Sequence, residues 1–255
     1  MILTDTHTHL YYEQDAIKRA GLIQRCRKNG IDRLFLPNVD AASVAQVYDL
    51  VNVHPDMCFP MLGLHPCSVK EGWKDELAII RESKQQHKIY AIGEIGIDLY
   101  WDKTTLGIQV QAFKQQIAWA KELKLPIVIH CRDAFNEVFE VLEQEQDENL
   151  RGIFHCFTGN AEQAQKVISL GFYLGIGGVV TYKNAGLDKI LPSIDLSHIV
   201  LETDSPYLTP VPHRGKPNES SYLIYIAQKV AEVYQTDIQT VATITTANSK
   251  QIFGV

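Results

Sequence analysis

The segment Ile127-Val128-Ile129-His130 is a short β-branched run that ends on a histidine, and Gly152-Ile153-Phe154-His155 repeats this pattern further along the chain. Short apolar runs of this kind are typical of buried strands. The amphipathic stretch between them, residues 133–145, is predicted to form a helix. A strand, a helix and a second strand in this order indicate a βα unit, the building block of a parallel sheet.

The same alternation extends along the whole chain. Eight strand candidates cover residues 2–7, 33–36, 59–64, 90–94, 127–130, 152–155, 172–176 and 199–202. Helix candidates cover residues 15–28, 41–53, 74–86, 109–123, 133–145 and 161–170, and two further helices cover 221–234 and 237–253. Eight parallel strands predict an α/β fold, a (β/α)8 TIM barrel with additional C-terminal helices, in one domain spanning residues 1–255. A doubly wound sheet is the alternative architecture.

The composition is that of a folded globular protein, with 45% hydrophobic and 21% charged residues. The 24 Lys and Arg against 30 Asp and Glu give a net charge of −6. The chain therefore lacks the globally basic surface that many nucleic-acid-binding proteins use. Any polyanionic substrate would need local cations at its binding site.

The sequence predicts a cytoplasmic protein with no membrane segment. Residues 1–5 carry neither a basic nor an apolar targeting region, and no apolar run approaches the roughly 18 residues that a membrane span needs. The five cysteines are scattered and form no CxxC pair, which argues against a disulfide framework and against a cysteine zinc site. No obligate protein partner is indicated.

Six side chains that can bind a metal lie at or just after predicted strands. His7 and His9 are two residues apart at the end of the first strand, where the strand period of two would place both imidazoles on one face. The other four are Glu94, His130, His155 and Asp204. The carboxyl ends of barrel strands form a single face, so all six side chains are expected to converge there.

Six nitrogen and oxygen donors suit two divalent ions better than one, because a catalytic zinc commonly takes about three protein ligands plus water. Glu94, placed centrally among the strands, is positioned to bridge both ions. These ligand types are compatible with Mg²⁺, Mn²⁺ or Zn²⁺. The alternative interpretation, that the six are separate polar residues capping strands, implies a costly arrangement in the absence of a cation.

At these residues the sequence resembles the TatD family of metal-dependent hydrolases, which belongs to the amidohydrolase superfamily of barrels. The resemblance spans the whole chain. Its motifs are Asp5-Thr6-His7-Thr8-His9, Gly63-Leu64-His65-Pro66, Gly93-Glu94-Ile95-Gly96-Ile97-Asp98, His130-Cys131-Arg132-Asp133-Ala134, His155-Cys156-Phe157-Thr158-Gly159, Glu202-Thr203-Asp204-Ser205-Pro206-Tyr207-Leu208 and Pro212-His213-Arg214-Gly215-Lys216 with Asn218-Glu219. One departure follows Lys216, where Pro217-Asn218-Glu219-Ser220 replaces the common Arg-Asn-Glu-Pro. This departure concerns substrate preference and not the metal site.

The resemblance implies two divalent metal ions and a deoxyribonuclease-like activity that hydrolyses phosphodiester bonds with Mg²⁺ or another divalent cation. It also implies that Glu94 bridges the ions. The implied metal ligands are His7, His9, Glu94, His130, His155 and Asp204.

Three residues are predicted to take part in catalysis: Asp204, Glu94 and His65. A carboxylate that binds a metal through one oxygen can accept a proton from water with the other, which makes Asp204 a general base as well as a ligand. His65 follows the third predicted strand, so it should lie at the rim of the same face, outside the ligand set, and donate to the phosphate. The alternative for His65 is a local hydrogen-bonding role.

Substrate binding is assigned to cations and aromatic residues near the strand ends, together with His65. Arg132, Arg214 and Lys216 are the cations best placed to meet a phosphate. Trp101 and Tyr207 could stack on nucleobases. The alternatives are an ion pair with a helix carboxylate for Arg132, plain solvation for the two loop cations, and covering of the barrel rim for the aromatic rings.

Three functions are compatible with these residues. The first is a phosphodiesterase acting on DNA, on single strands or ends, because the acidic net charge fits poorly with wide duplex binding. The second is an amidohydrolase-type hydrolase of a small-molecule ester or amide, or of an aminoacyl group. The third is a catalytically silent binding barrel, which the presence of all six donors disfavours.

Overall fold

The computed structural model describes residues 1–255, in which eight strands alternate with helices. The strands are β1 (Leu3–Asp5), β2 (Ile31–Pro37), β3 (Cys58–Met61), β4 (Ile92–Asp98), β5 (Ile127–Arg132), β6 (Gly152–Phe154), β7 (Phe172–Ile176) and β8 (Ile199–Leu201). The helices are α1 (Ala16–Lys28), α2 (Ser43–Val53), α3 (Trp73–Ser83), α4 (Leu106–Leu123), α5 (Phe135–Glu145), α6 (Ala161–Ser169), α7 (Leu187–Ile190), α8 (Leu223–Val233) and α9 (Ile238–Phe253). None of these helices is long and apolar enough to cross a membrane.

The eight strands close into a barrel. Strands β1 to β3 pair in parallel, and so do β4 to β8. Leu62 forms a parallel bridge to Ile92, which joins β3 to β4. On the other side, the Thr6 N–H donates to the Leu201 carbonyl at 3.0 Å and joins β8 to β1. The predicted TIM barrel is therefore confirmed, and the doubly wound alternative, which leaves the sheet open, is excluded.

The amino-terminal end of the barrel is filled with apolar side chains. Phe35, Val128 and Val200 belong to a buried cluster inside the strands. Helix α9 covers this end, and its Phe253 ring stacks on Phe35 at 3.8 Å between ring centroids. With this end packed and covered, polar chemistry is confined to the carboxyl end of the strands.

Strand β4 contains a bulge that the sequence did not reveal. Ile92 pairs with Ile127 and Ile95 pairs with Ile129, so β4 uses one residue more than β5 over this interval. A Cβ on Gly93 would lie 2.7 Å from Val128 Cβ, so only glycine fits at the bulge. The predicted end of this strand at Glu94 is wrong, because β4 continues to Asp98 past the bulge and Glu94 lies within it.

Several other boundaries also differ from the prediction. Strand β3 ends at Met61 and not at residue 64, and β5 continues past His130 to Arg132. Strand β1 ends at Asp5 and not at residue 7, because the chain after it bonds to the β8 end of the barrel. Helix α4 begins at Leu106, three residues before the predicted start at 109. The short helix α7 was not predicted, since its four residues are too few to show a helical period.

The close approach of β5 and β6 should make Gly152→Ala strongly destabilising. The added Cβ would lie 1.8 Å from the Ile127 carbonyl oxygen, so the paired strands would have to shift. We expect the free energy of unfolding to fall by about 2 kcal/mol or more, measured by urea denaturation.

Gly107→Ala is the matched control, because Gly107 is exposed in α4 and no atom lies within 4 Å of the added Cβ. Here we expect a gain of about 0.5–1 kcal/mol from reduced chain entropy. A Gly152→Ala protein as stable as the parent would contradict the described pairing of β5 with β6.

Candidate metal centre

His7 and His9 lie in the loop after β1, and not on the strand as predicted. This loop is bonded to the segment after β8. The Asp204 N–H donates to the His7 carbonyl at 2.9 Å, and the His9 N–H donates to the Ser205 carbonyl at 2.8 Å. The two imidazoles nevertheless converge, with ring centroids 5.2 Å apart. Their convergence therefore comes from the joining of the first and last strands, and not from strand alternation.

Glu94 lies at the centre of the site, and its Oε1 atom faces three histidines. His130 Nδ1 and His155 Nε2 are each 2.7 Å from Oε1, and His65 Nε2 is 3.3 Å away. These residues come from β5 and from the loops after β6 and β3. The bulge in β4 places the Glu94 carboxylate between them.

The second oxygen of Glu94, Oε2, faces a different pair of histidines. His7 Nε2 is 3.2 Å from Oε2 and His9 Nε2 is 3.8 Å from it. The Asp204 carboxylate lies on the same side, with Oδ1 3.7 Å from His7 Nε2 and 3.5 Å from His9 Nε2. All six predicted donors are therefore brought together.

Charge and burial set the protonation of Glu94 and of His7. Burial alone would raise the pKa of Glu94, but the adjacent histidines, His155 first, hold it well below its usual range. Burial lowers the pKa of His7, and the His155 ring stacked on it at 3.9 Å lowers it further. An ionised Glu94 and a neutral His7 are the forms that bind metal ions.

Several buried polar atoms here have no hydrogen-bond partner. Both ring nitrogens of His7 are among them. Three sets of side chains have donor atoms within 4.8 Å of one another: His7 with His155 and Asp204, His7 with His9 and Glu94, and His65 with Glu94 and His130. Unpartnered nitrogens facing carboxylate oxygens are the donor set of a divalent transition-metal site, so the residues present fit such ions.

Tyr11 sets the tautomer of His9, a role that the sequence did not indicate. The Tyr11 hydroxyl donates to the Pro37 carbonyl at 2.7 Å, and His9 Nδ1 lies 2.9 Å from the same hydroxyl oxygen. Because the hydroxyl proton is already used, His9 Nδ1 must donate, which leaves the lone pair on Nε2. That lone pair faces Glu94 and Asp204, as metal binding requires.

Two carboxylates that received no role from the sequence support the other histidines. His130 Nε2 lies 2.8 Å from Asp98 Oδ2, and Glu202 Oε1 lies 3.5 Å from His155 Nδ1. Burial would raise the pKa of Asp98, but the bond to His130 and the backbone N–H of Trp101 lower it to about 2. Such carboxylate–histidine pairs orient metal ligands. Both residues stand in the quoted motifs, and that position was the only signal of their role.

The predicted substrate residues near β4 and β5 lie together. The Arg132 guanidinium carbon is 3.7 Å from the centre of the Tyr100 ring and 5.6 Å from that of Trp101. Trp101 is 69% exposed and Tyr100 is 53% exposed. No carboxylate lies within ion-pair distance of Arg132, so the helix ion pair considered for it is absent.

The remaining substrate candidates are more dispersed. Tyr207 is exposed, with its ring 6.1 Å from the His9 ring. Arg214 stacks on Tyr182 at 4.0 Å and donates to that residue's hydroxyl, so its guanidinium is already engaged. Lys216 is exposed and forms no ion pair. The structure therefore brings Tyr207 to the site but does not bring Arg214 or Lys216 into contact with it.

Comparisons with known proteins agree with one another. Residues 4–254 match the family model described as TatD related DNase. The chain is 39% identical over 255 residues to the uncharacterized metal-dependent hydrolase YabD of Bacillus subtilis (strain 168), covering 100% of each. It is 33% identical over 243 residues to the 3'-5' ssDNA/RNA exonuclease TatD of Rahnella sp. (strain Y9602), covering 93% of this chain and 92% of that one. The crystal structure of YJJV, a TatD homolog from Escherichia coli K12, has a TM-score of 0.92 at 24% identity and covers 99% of this chain and 98% of that chain.

We expect Tyr11→Phe to weaken metal binding. Without the hydroxyl, His9 loses the acceptor that keeps its proton on Nδ1. We expect affinity for a divalent ion to fall about 10- to 100-fold, measured by calorimetric titration of metal-free protein with Mn²⁺.

Tyr12→Phe is the matched control, because the Tyr12 ring stacks on His9 at 5.2 Å without a hydrogen bond to its ring nitrogens. Its affinity should equal that of the parent. Equal affinities for Tyr11→Phe and the parent would show that Tyr11 does not set the His9 tautomer.

Proposed function

The chain belongs to the TatD family of metal-dependent hydrolases, and we propose that it hydrolyses phosphodiester bonds of DNA, acting on single strands or ends. The observation that carries the phosphodiester substrate is the unpaired guanidinium of Arg132, two residues beyond His130 on the same strand. An unpaired arginine beside a metal centre suits a phosphate, which it can bind through two hydrogen bonds. The name of the Rahnella relative, a ssDNA/RNA exonuclease, supports the same substrate class.

We further propose two divalent ions, Mg²⁺, Mn²⁺ or Zn²⁺, with Glu94 between them. The two Glu94 oxygens face separate groups of histidines, which supports a bridging role for this carboxylate. The proposed ligands are His7, His9, Glu94, His130, His155 and Asp204. Bound divalent ions would lower the pKa of a coordinated water and offset the charge of the phosphate.

His65 acts as a hydrogen-bond donor in this proposal, and not as a ligand. The Cys67 backbone N–H donates to His65 Nδ1 at 3.0 Å, so the proton of the neutral ring lies on Nε2. Nε2 is the atom that faces Glu94, and a protonated nitrogen cannot bind a metal. It can donate to a phosphate oxygen or to the leaving group.

Asp204 serves as the general base for the attacking water. Burial would raise the pKa of Asp204, but the charge of the neighbouring His155 imidazole lowers it, so the carboxylate is ionised at neutral pH. Its side chain is 13% exposed, more than that of Glu94, so it can meet a water entering from the barrel mouth. Asp204 thus holds the proton taken from the water at the edge of the site, where solvent can remove that proton.

Exposed side chains at the rim complete the proposed substrate site. Arg132 binds the phosphate, while Trp101 and Tyr207 stack on bases on two sides of the mouth. Arg214, engaged by Tyr182, and the exposed Lys216 are assigned to further phosphates of a longer strand. An ester or amide hydrolase would need an apolar pocket for its acyl group, whereas Arg132 and exposed aromatic rings favour a nucleic acid.

The proposal predicts metal-dependent cleavage that requires Asp204. Protein stripped with a chelator should not shorten labelled single-stranded DNA until Mg²⁺, Mn²⁺ or Zn²⁺ is added. Asp204→Asn should lower kcat by about 10²- to 10⁴-fold, the usual contribution of a general base. Gel electrophoresis of the labelled strand measures both effects.

Asp49→Asn, a change of an exposed carboxylate on α2, should keep the parent activity. Cleavage that survives in Asp204→Asn would remove Asp204 from the reaction. A metal-loaded parent protein that cleaves no DNA would overturn the DNA substrate.

A further inference from the structure

A cavity of about 580 Å³ lies beside the metal centre, and we call it the side cleft. Its walls come from the loop after β4 (Tyr100), from the end of β5 and the start of α5 (Cys131 to Glu137), and from the segment at the start of α6 (Thr158 to Asn160, with Gln163). Those same strands carry Glu94, His130 and, just beyond β6, His155. The side cleft therefore lies at the same end of the barrel as these donors. Its volume is within the usual range of small-ligand sites.

The charges of the side cleft argue against a phosphate in it. Arg132 is its one cation, whereas Asp133 and Glu137 are carboxylates, so its lining carries a net negative charge. The amino-terminal ends of α5 and α6 favour an anion, but two carboxylates at the same place repel one. A neutral polar group is therefore the better occupant.

The polar groups in the side cleft are free to bind such a group. Asn136, Asp133 and Glu137 have side chains that form no hydrogen bond or ion pair in the protein. Asn160 and Gln163 bind each other's backbone N–H through their side-chain oxygens, which leaves both side-chain NH₂ groups unused. Free amide donors beside free carboxylate acceptors match the edge of a nucleobase, which presents donors and acceptors side by side.

We propose that the side cleft binds the nucleobase of the nucleotide next to the cleaved phosphodiester. The inference rests on the proposed function and adds a base-binding subsite to it. Arg132 lies at the entrance, stacked on Tyr100, where it meets the phosphate while the base enters the side cleft. Asn136, Asn160 and Gln163 then contact the base edge, and Asp133 and Glu137 accept from its exocyclic amino group.

The test compares dinucleotides with and without each base. The parent protein is assayed on d(CpC), on d(CpC) lacking the base on either side, and on bis(p-nitrophenyl) phosphate, which has no base. Removal of one of the two bases should lower kcat/KM about tenfold or more, as expected when a base loses its edge contacts. If neither base changes kcat/KM, the subsite does not exist.

Asn136→Trp fills the side cleft from the exposed start of α5. In this variant kcat/KM for d(CpC) should fall about tenfold. Removing the base from the substrate should then cause no further decrease in kcat/KM. Asn149→Trp, an equally exposed change before β6 at the other end of the barrel, is the control and should behave as the parent does. If removing the base lowers kcat/KM of Asn136→Trp as much as it lowers that of the parent, the base binds elsewhere and the proposal is overturned.

Binding without turnover separates this proposal from the proposed function. The dissociation constant of deoxycytidine 5'-monophosphate is measured by calorimetry for all three proteins, together with that of the abasic sugar phosphate. Weaker binding of the nucleotide alone in Asn136→Trp supports the subsite, even if no diester is cleaved with any ion and the proposed function fails. Equal binding in all three proteins overturns the subsite, even if diesters are cleaved.

Discussion

The buried carboxylate of Glu94 is the constraint on which the rest of the site depends. A buried ion is costly unless opposite charges and hydrogen bonds compensate it. Here five histidines surround the carboxylate, three at Oε1 and two at Oε2. Those histidines are in turn oriented by groups outside the cluster, such as Tyr11 and Asp98. The histidines are thus held in place around the Glu94 carboxylate before any metal binds. Such preorganisation is what a metal centre requires.

The barrel supplies this geometry through small residues and a covered end. Gly63 and Gly93 let β3 and β4 approach closely, since a Cβ on Gly63 would lie 2.9 Å from the Gly93 carbonyl carbon. On the other side of β4, the bulge in its pairing with β5 contains Glu94. Meanwhile α9 and Phe253 cover the amino-terminal end, so that the polar cluster opens in one direction only. Access to the cluster is therefore past the loops at the carboxyl ends of the strands.

Much of this arrangement could be predicted from the sequence, because it follows from the order of apolar and amphipathic segments along the chain. Apolar runs alternating with amphipathic stretches predicted the barrel, and the barrel brought distant donors such as His7 and His155 to one face. Details that depend on register could not be predicted. The bulge that extends β4 to Asp98 requires knowing how β4 pairs with β5. Likewise, the tautomer of His9 depends on a carbonyl at Pro37, 26 residues beyond Tyr11. The stacking of Arg214 on Tyr182 could not be predicted either, because the two residues are distant in sequence.

The most direct measurement is a crystal structure of the protein soaked in Mn²⁺, with anomalous scattering recorded at the manganese edge. The account predicts two anomalous peaks, one beside each oxygen of Glu94, with His7 and His9 at one and His130 at the other. Metal–ligand distances should be about 2.0–2.3 Å, as in other nitrogen and oxygen sites. A single peak, or two peaks of which neither contacts Glu94, would contradict the bridging carboxylate.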